Sequence, residues 1–385
     1  MKTLGEIFEI GSGGTPSKTH PEYYDGNIPW VKTGDLKDEY LYSVEDCISE
    51  EGLNNSSAKM YPSGTVLIAM YGATIGATSI LKFDACTNQA CAAFKPCEEV
   101  LPEYLYFFLR SKKQKFISDG VGGAQPNISA GYLKKVSIDV RNIKEQEKIV
   151  TVLDKLNGII QKRQKEIDEL DELIKARFVE VFGNPVTNDK GWSTDSCKNL
   201  MKKIGSGATP KGGRESYCDE GISLIRSMNV YNNRFEYKDL AHITDEQAEQ
   251  LDNVTIEKSD VLLNITGASV ARCCVVPDDL LPARVNQHVS IIRCKENLLP
   301  EFVCSMFTED NYQRLLWNIA TAGGATREAI TKQQIEDLQL IVPPLDLQKQ
   351  FMEFVNQVDK SKVAVQAALD KTQLLFDSLM QKYFG

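Results

Sequence analysis

Between Glu145 and Phe182 apolar residues recur at Ile149, Val152/Leu153, Leu156, Ile159/Ile160, Ile167, Leu170, Leu173/Ile174, Phe178 and Val181, with Glu, Asp and Lys between them. This three-to-four-residue period predicts an amphipathic helix about 55 Å long at ~1.5 Å per residue. The pattern returns 202 positions later at Phe351, Phe354/Val355, Val358, Val365, Leu369, Leu375/Phe376, Leu379 and Tyr383. A lone helix of that length exposes its apolar stripe, and the simplest partner for each run is the other. Helix–helix packing is expected at Ile149, Leu156, Ile160, Ile167 and Leu170 on the first run. On the second it is expected at Phe351, Val358, Val365, Leu369 and Leu379.

The stretches before the two helices repeat as well. Gly11-Ser-Gly-Gly-Thr-Pro-Ser-Lys18 matches Gly205-Ser-Gly-Ala-Thr-Pro-Lys211, and Ile28–Asp35 matches Ile222–Asn229. Val66–Ile75 matches Val261–Val270, Asn88-Gln89 matches Asn286-Gln287, and Gly122-Gly-Ala matches Gly323-Gly-Ala. The matches keep their order while the offset drifts from 194 to 202, as small loop insertions in a tandem duplication require. Within each globular stretch, short β-branched and aromatic runs are punctuated by Gly, Pro and Asn, with a helical segment near 102–117 and its counterpart near 300–316. The expected organisation is a globular domain over 1–144, a helix over 145–183, a second globular domain over 184–346 and a second helix over 347–385. The fold class is α+β: two β-rich domains joined by two long helices in an antiparallel coiled coil, a pseudo-twofold tandem repeat.

Composition narrows the chemistry. The 385 residues are 42% hydrophobic, enough for two or three cores, and no apolar run reaches the ~20 residues that span a bilayer. The start lacks the basic and apolar regions of a signal peptide, and the ten cysteines form no CxxC pair. Together these read as a cytoplasmic protein with reduced thiols and no membrane partner. With only His20, His242 and His288, no histidine-rich metal centre is expected. Nor is a cofactor: the Gly11–Lys18 loop fails the GxxxxGK[ST] spacing, and no methyl-donor fingerprint or HExxH is present. Base methylation would call for Asn/Asp-Pro-Pro-Tyr, but Asn184-Pro185 is followed by Val186. The chain is read as non-catalytic.

Two domains on paired antiparallel helices would face alike at a fixed separation. A DNA reader of that form recognises two short half-sites across an unread gap, and unlike domains make the site asymmetric. The net charge of −9, with 17 basic against 23 acidic side chains in 184–347, argues the other way. Phosphate neutralisation by Lys and Arg supplies much of DNA affinity. A reader this acidic must use local basic patches and charge borrowed from partners. The alternative is a coiled-coil scaffold whose β-rich domains bind protein.

The Gly-x-x-Thr-Pro start, Ile28-Pro-Trp, the Gly-x-x-x-Gly turn, the Asn-Gln pair, Gln125-Pro-Asn-Ile-Ser129 and Val342-Pro-Pro-Leu-Asp-Leu-Gln348 together resemble a type I restriction–modification specificity subunit. The resemblance runs through both repeats. It implies two target-recognition domains, spacer helices, double-stranded DNA as ligand and docking of two methyltransferase (modification) subunits, which a restriction translocase can join. This chain departs from the pattern at Val140-Arg-Asn-Ile143, which sets the first helix start less sharply, and at Ser223-Leu224 and Thr326-Arg-Glu-Ala-Ile330.

Candidate DNA contacts each have a plainer reading. Thr15, Ser17 and Lys18 approach a phosphate or form a simple turn, as do Lys211 and Arg214 in the second domain. Lys32 and Arg226, at equivalent positions beside a strand, contact DNA or only form salt bridges. Asn88, Gln89, Asn286 and Gln287 suit adenine edges, yet amides in apolar stretches are commonly satisfied by backbone. Gln125, Asn127 and Arg327 follow Gly-Gly turns, where polar loops favour groove contact. Arg272, just past the Gly267 turn, is the leading candidate in the second domain.

Overall fold

The computed structural model describes residues 1–120, 127–210, 212–322 and 328–385, without the side chain of Arg214. The chain divides into two compact units. Unit 1 is Met1–Lys165 with Gln366–Gly385, and unit 2 is Glu166–Val365.

In unit 1 the strands Ile10–Ser12, Cys91–Phe94, Val66–Ala69, Thr78–Leu81 and Tyr40–Leu41 form one sheet in that order. Val66–Ala69 and Cys91–Phe94 are buried at every position, as strands covered on both faces must be. Alternation divides their side chains. Val66, Ile68, Ala92 and Phe94 face the helix Pro102–Ser111, while Leu67, Ala69, Cys91 and Ala93 pack with Val31, Leu36 and Tyr61. That second layer belongs to a four-stranded sheet, Cys47–Ile48, Ile28–Val31, Ala85–Thr87 and Met60–Tyr61. Its middle pair is parallel, with Trp30 opposite Cys86 and Val31 opposite Thr87.

Unit 2 builds the same layers. Met201–Ser206, Val289–Cys294, Val261–Asn264 and Cys273–Val275 form one sheet, and Ala241–Ile243, Ile222–Ile225 and Ala283–Val285 the other. Again one pair is parallel, here the central strand with an edge strand, Leu224 opposite Arg284 and Ile225 opposite Val285. Val261 and Leu263 face the helix Pro300–Thr308, and Leu262 faces Leu224 and Val285. The helical segment expected near 102–117 is broken into Pro102–Ser111 and Lys113–Asp119, and its counterpart into Pro300–Thr308 and Asp310–Thr321. Proline opens the first helix of each pair, where its missing N–H is not needed.

The long helices run Ile143–Phe182 and Leu345–Phe384. The Asn142 side chain accepts from Glu145 N at 3.0 Å, so an Asn cap sets the first start where the Pro343-Pro344 pair precedes the second. Each helix then anchors to its domain through a fully buried glutamine. Gln146 accepts from Leu101 N at 2.9 Å and donates to the Glu99 and Arg141 carbonyls, both at 2.8 Å. Gln348 accepts from Leu299 N at 2.9 Å and donates to Asn297 O at 3.1 Å and Pro343 O at 2.8 Å.

Within each unit the segments of the two helices run antiparallel. In unit 2 Lys362 meets Asp171 at 2.5 Å while Phe351 meets Phe178 and Phe182, with ring centroids 5.6 and 5.3 Å apart. In unit 1 Arg163 donates to Ala368 O and Thr372 Oγ1, and Ile149 and Leu153 pack with Met380 and Phe384. Among the expected packing positions Ile149, Phe351, Val358 and Leu369 are buried, and Leu156, Ile160, Ile167, Leu170, Val365 and Leu379 half-buried. Adjacent apolar pairs split, because neighbouring helix positions lie about 100° apart. Leu153 is fully buried while Val152 is 39% exposed, and Phe376 is 5% exposed while Leu375 is 50% exposed. Among the described residues no helix is long and apolar enough to cross a membrane, and no group of His, Cys, Asp and Glu could hold a metal ion.

Candidate nucleic-acid interface

In unit 1 most of the candidate residues meet at the carboxyl ends of Ile28–Val31, Ala85–Thr87 and Val66–Ala69. Asn88 N donates to Val31 O at 2.9 Å, which sets Lys32 beside the Asn88-Gln89 turn. Met70 N donates to Ala90 O at 2.8 Å, and Tyr71 bridges to Asn127. Thr15 reaches across from the glycine loop, its hydroxyl donating to Gln89 Oε1. Lys32, Asn88, Gln89, Thr15 and Asn127 are therefore neighbours, although they span more than a hundred positions of sequence. Ser17 turns aside to pair with Thr19 at 2.7 Å. Lys18 is exposed and makes no ion pair among the described residues.

Unit 2 repeats the arrangement bond for bond. Asn286 N donates to Ile225 O at 3.0 Å, Ile265 N to His288 O at 3.0 Å, and Thr266 bridges to Ala329. The Thr209 hydroxyl donates to Gln287 Oε1 as Thr15 does to Gln89. The Gly-rich start is explained by this crossing. A Cβ on Gly13 would stand 1.7 Å from Thr87 O, and one on Gly207 1.7 Å from Val285 O. The glycines admit the loop against the strand end.

The two asparagines do one job. Asn88 Oδ1 accepts from Ala90 N at 3.1 Å and Asn286 Oδ1 from His288 N at 2.9 Å, so each amide oxygen closes its own turn. Gln89 and Gln287 are exposed. The paired cations also have protein partners. Lys32 pairs with Asp46 and stands 5.7 Å over Trp30, while Arg226 donates to Asp239 O and lies 5.5 Å over Tyr217. Both keep a solvent-facing side. Their backbones cap the same turn: Lys32 N donates to Asp35 Oδ2 at 2.7 Å and Arg226 N to Asn229 Oδ1 at 3.1 Å.

Arg272 lies half-buried with its guanidinium 4.5 Å from the Tyr231 ring centroid, and Arg234 is 4.8 Å from the same ring. Sequence reasoning missed Tyr231 and Arg234, because a tyrosine between two distant arginines has no linear signature. It also missed Tyr71, 43% exposed beside the Gly72 turn, and the Thr266–His288 pair at 2.6 Å. Thr209 could have been found by carrying Thr15 across the repeat. Gln125, Lys211 and Arg327 lie outside the described residues, as does the Arg214 side chain.

Comparisons with known proteins bear on this doubled site. The model of the type I restriction modification DNA specificity domain matches residues 1–172 and again 189–372. The MjaIX type I restriction enzyme specificity subunit of Methanocaldococcus jannaschii is 27% identical over 99% of this chain and 91% of its own length. The EcoR124I/EcoR124II specificity subunit of Escherichia coli is 33% identical over 43% of this chain and 44% of its own. The solved S subunit of a type I restriction-modification system from M. genitalium shares the fold, with a TM-score of 0.57 at 13% identity. It covers 100% of this chain and 95% of its own. With its domain matched twice over most of its length, the chain belongs to the type I restriction modification DNA specificity domain family.

Proposed function

We propose that this chain is the non-catalytic, sequence-reading subunit of a type I restriction–modification complex, acting in the cytoplasm on double-stranded DNA. Each unit reads one half-site, and because the units differ in sequence the target is bipartite and asymmetric. The long helices set the gap between half-sites and offer docking surface to two methyltransferase subunits, which a restriction translocase can join. The observation that carries this reading is the constellation of Thr15, Lys32, Asn88 and Gln89 built a second time from Thr209, Arg226, Asn286 and Gln287. Its polar groups gather at strand ends in both copies, where a groove or a phosphate can be met. With a net charge of −9, this chain is expected to bind duplex with charge supplied in part by its methyltransferase partners.

The test is a ruler experiment. Inserting one heptad into both long helices adds about 10 Å, close to three base pairs at ~3.4 Å each. Methylome mapping of a host expressing the complex should show the gap lengthened and both half-sites kept. An unchanged gap with intact methylation would sink the ruler, and binding of protein but never of duplex would favour the scaffold alternative.

A further inference from the structure

Two readers of different half-sites share one thing in their ligand, the phosphodiester backbone. Of the exposed groups that can face the ligand, those built alike in both units are therefore matched to phosphate, and those that differ are available to bases. Thr15–Gln89 and Thr209–Gln287 are alike down to the atoms joined, Thr Oγ1 donating to Gln Oε1. That bond uses the amide oxygen and leaves the Nε2 hydrogens, which can only donate. Gln89 Nε2 has no partner among the described residues, and Gln287 Nε2 lies 3.2 Å from His288 Nε2, which occupies at most one of its two hydrogens. Lys32 or Arg226 stands at the adjoining strand end, a cation that holds one protein partner, Asp46 or the Asp239 carbonyl, and keeps a solvent-facing side. An exposed amide NH₂ beside a cation fits an anionic oxygen and discriminates poorly among base edges. Around it the units diverge: Gly34 faces open space where unit 2 carries the 39% exposed Met228, and Tyr71 stands where unit 2 has Thr266.

We propose that Thr15–Gln89 with Lys32, and Thr209–Gln287 with Arg226, form a phosphate clamp built on the same plan in both units, and that Gly34/Met228 and Tyr71/Thr266 carry the difference between the half-sites. The inference rests on the DNA-reading function above and adds which residues anchor and which select. A folding role alone would not require the two glutamines to be exposed, whereas the asparagines before them are already committed to the turn.

Gln89→Glu and Gln287→Glu keep shape and leave an acceptor for the threonine hydroxyl, but set a carboxylate against the phosphate. With the full chain assembled with its methyltransferase partner, each is titrated against a duplex carrying the mapped target and a scrambled duplex of equal length. Each variant should bind both duplexes at least roughly tenfold more weakly, the scale of one lost charge-assisted hydrogen bond, with their ratio unchanged. Loss confined to the target duplex would make the glutamines base readers, and unaltered binding would remove them from the interface; either overturns the clamp. Lys32→Gln supplies a readout a structural role would not move: the log–log salt slope should shrink by about one. An unchanged slope overturns the Lys32 half. If the unaltered complex binds neither duplex, the DNA-reading function itself falls, and that result is distinct from the others.

Discussion

In unit 1 the first long helix closes onto the strand edge at Glu39–Tyr40. Asn157 donates to Glu39 Oε2 at 3.2 Å, and Asp154 lies against Glu39, with Glu39 Oε1 and Asp154 Oδ1 both buried and unpartnered. In unit 2 the second helix stands off the corresponding strand edge, where Asn233 N donates to Cys273 O. There it leaves a cleft of about 1010 Å³, lined among others by Arg234, Glu301, Asn356 and Asp359. Asn356 stands where the repeat of Asp154 falls. The glutamine anchors do not differ: Gln146 and Gln348 make the same set of bonds. The junction is the constant part of each repeat, and the flank beyond it has been free to drift. A buried amide with every bond made is costly to alter, whereas a partly exposed flank costs little to open.

The strongest test of this likeness is the aromatic plug behind each junction. Phe182 is fully buried against Phe178, Phe302 and Phe351, and Trp192 Nε1 donates to its carbonyl at 2.9 Å. Its repeat, Phe384, is 6% exposed and touches Tyr104 and Phe108. Phe182→Ala should cost about 4 kcal/mol and Phe384→Ala about 3 kcal/mol, both within the range for buried phenylalanine. Denaturant unfolding followed by tryptophan fluorescence measures both, since Trp30 reports on unit 1 and Trp192 on unit 2. A larger loss for Phe384→Ala would reverse the ranking.

Gln146→Leu and Gln348→Leu come next. Each strands one backbone N–H and two carbonyls in the interior, at about 2–3 kcal/mol in total because carbonyls tolerate under-satisfaction better than N–H groups. The two losses should agree within about 1 kcal/mol. If one substitution is tolerated, the junctions are not equivalent and the comparison breaks.

Much of this architecture was legible in the sequence. The long helices and the doubled domain came from spacing alone, because a period over forty residues and an ordered set of repeats survive local exceptions. The site was legible only as a roster. Thr15 and Gln89 were both candidates, but nothing linear joins positions 74 apart by a hydrogen bond. Gln348 was named only as the end of the Val342–Gln348 motif, and its burial and that of Gln146 escaped notice because glutamine on an amphipathic helix ordinarily reads as solvated surface, and that burial depends on the turn before each domain helix. Glu39 and Asp154 were hidden for the same reason: two ordinary surface acids become a pair only through packing.

That pair predicts a pH dependence in unit 1 alone. Burial, then the Asp154 charge, pushes Glu39 up to about 6 from an ordinary 4.5, while Tyr40 and Asn157 hydrogen bonds and Arg110 oppose the shift. Burial and the Glu103 charge raise Asp154 as well; Lys82, 3.8 Å from Glu103, is the nearby counter-charge. With the folded value above the unfolded one, the folded chain holds more protons between about pH 4.5 and 6. Stability from this contact is present below that window and is lost as pH rises through it. Asp154→Asn should flatten that slope and stabilise the chain at pH 7, as read from thermal unfolding at pH 5 and pH 7. Asn356→Asp, placed on the open cleft, should introduce no comparable slope. Equal slopes in both variants would mean the flanks are alike after all.

The smallest expected effect lies in the turn both units share. Gly76 has φ +78° and Ala271, its repeat, φ +71°, a left-handed conformation that suits glycine and strains alanine. The Ala271 conformation is held from both sides, its N donating to Asn264 O at 2.9 Å and its carbonyl accepting from Gln313 Nε2 at 2.8 Å. Ala271→Gly should therefore keep the turn and gain about 0.5–1 kcal/mol, strain relief less the entropy of a freer unfolded chain. Gly76→Ala should lose more than that, because its new Cβ meets the Lys113 side chain at 2.8 Å besides adopting the strained φ. Unfolding midpoints of the two variants would move in opposite directions. A loss in both would mean that unit 2 has repacked around its alanine, and that the turn is no longer the same structure in the two repeats.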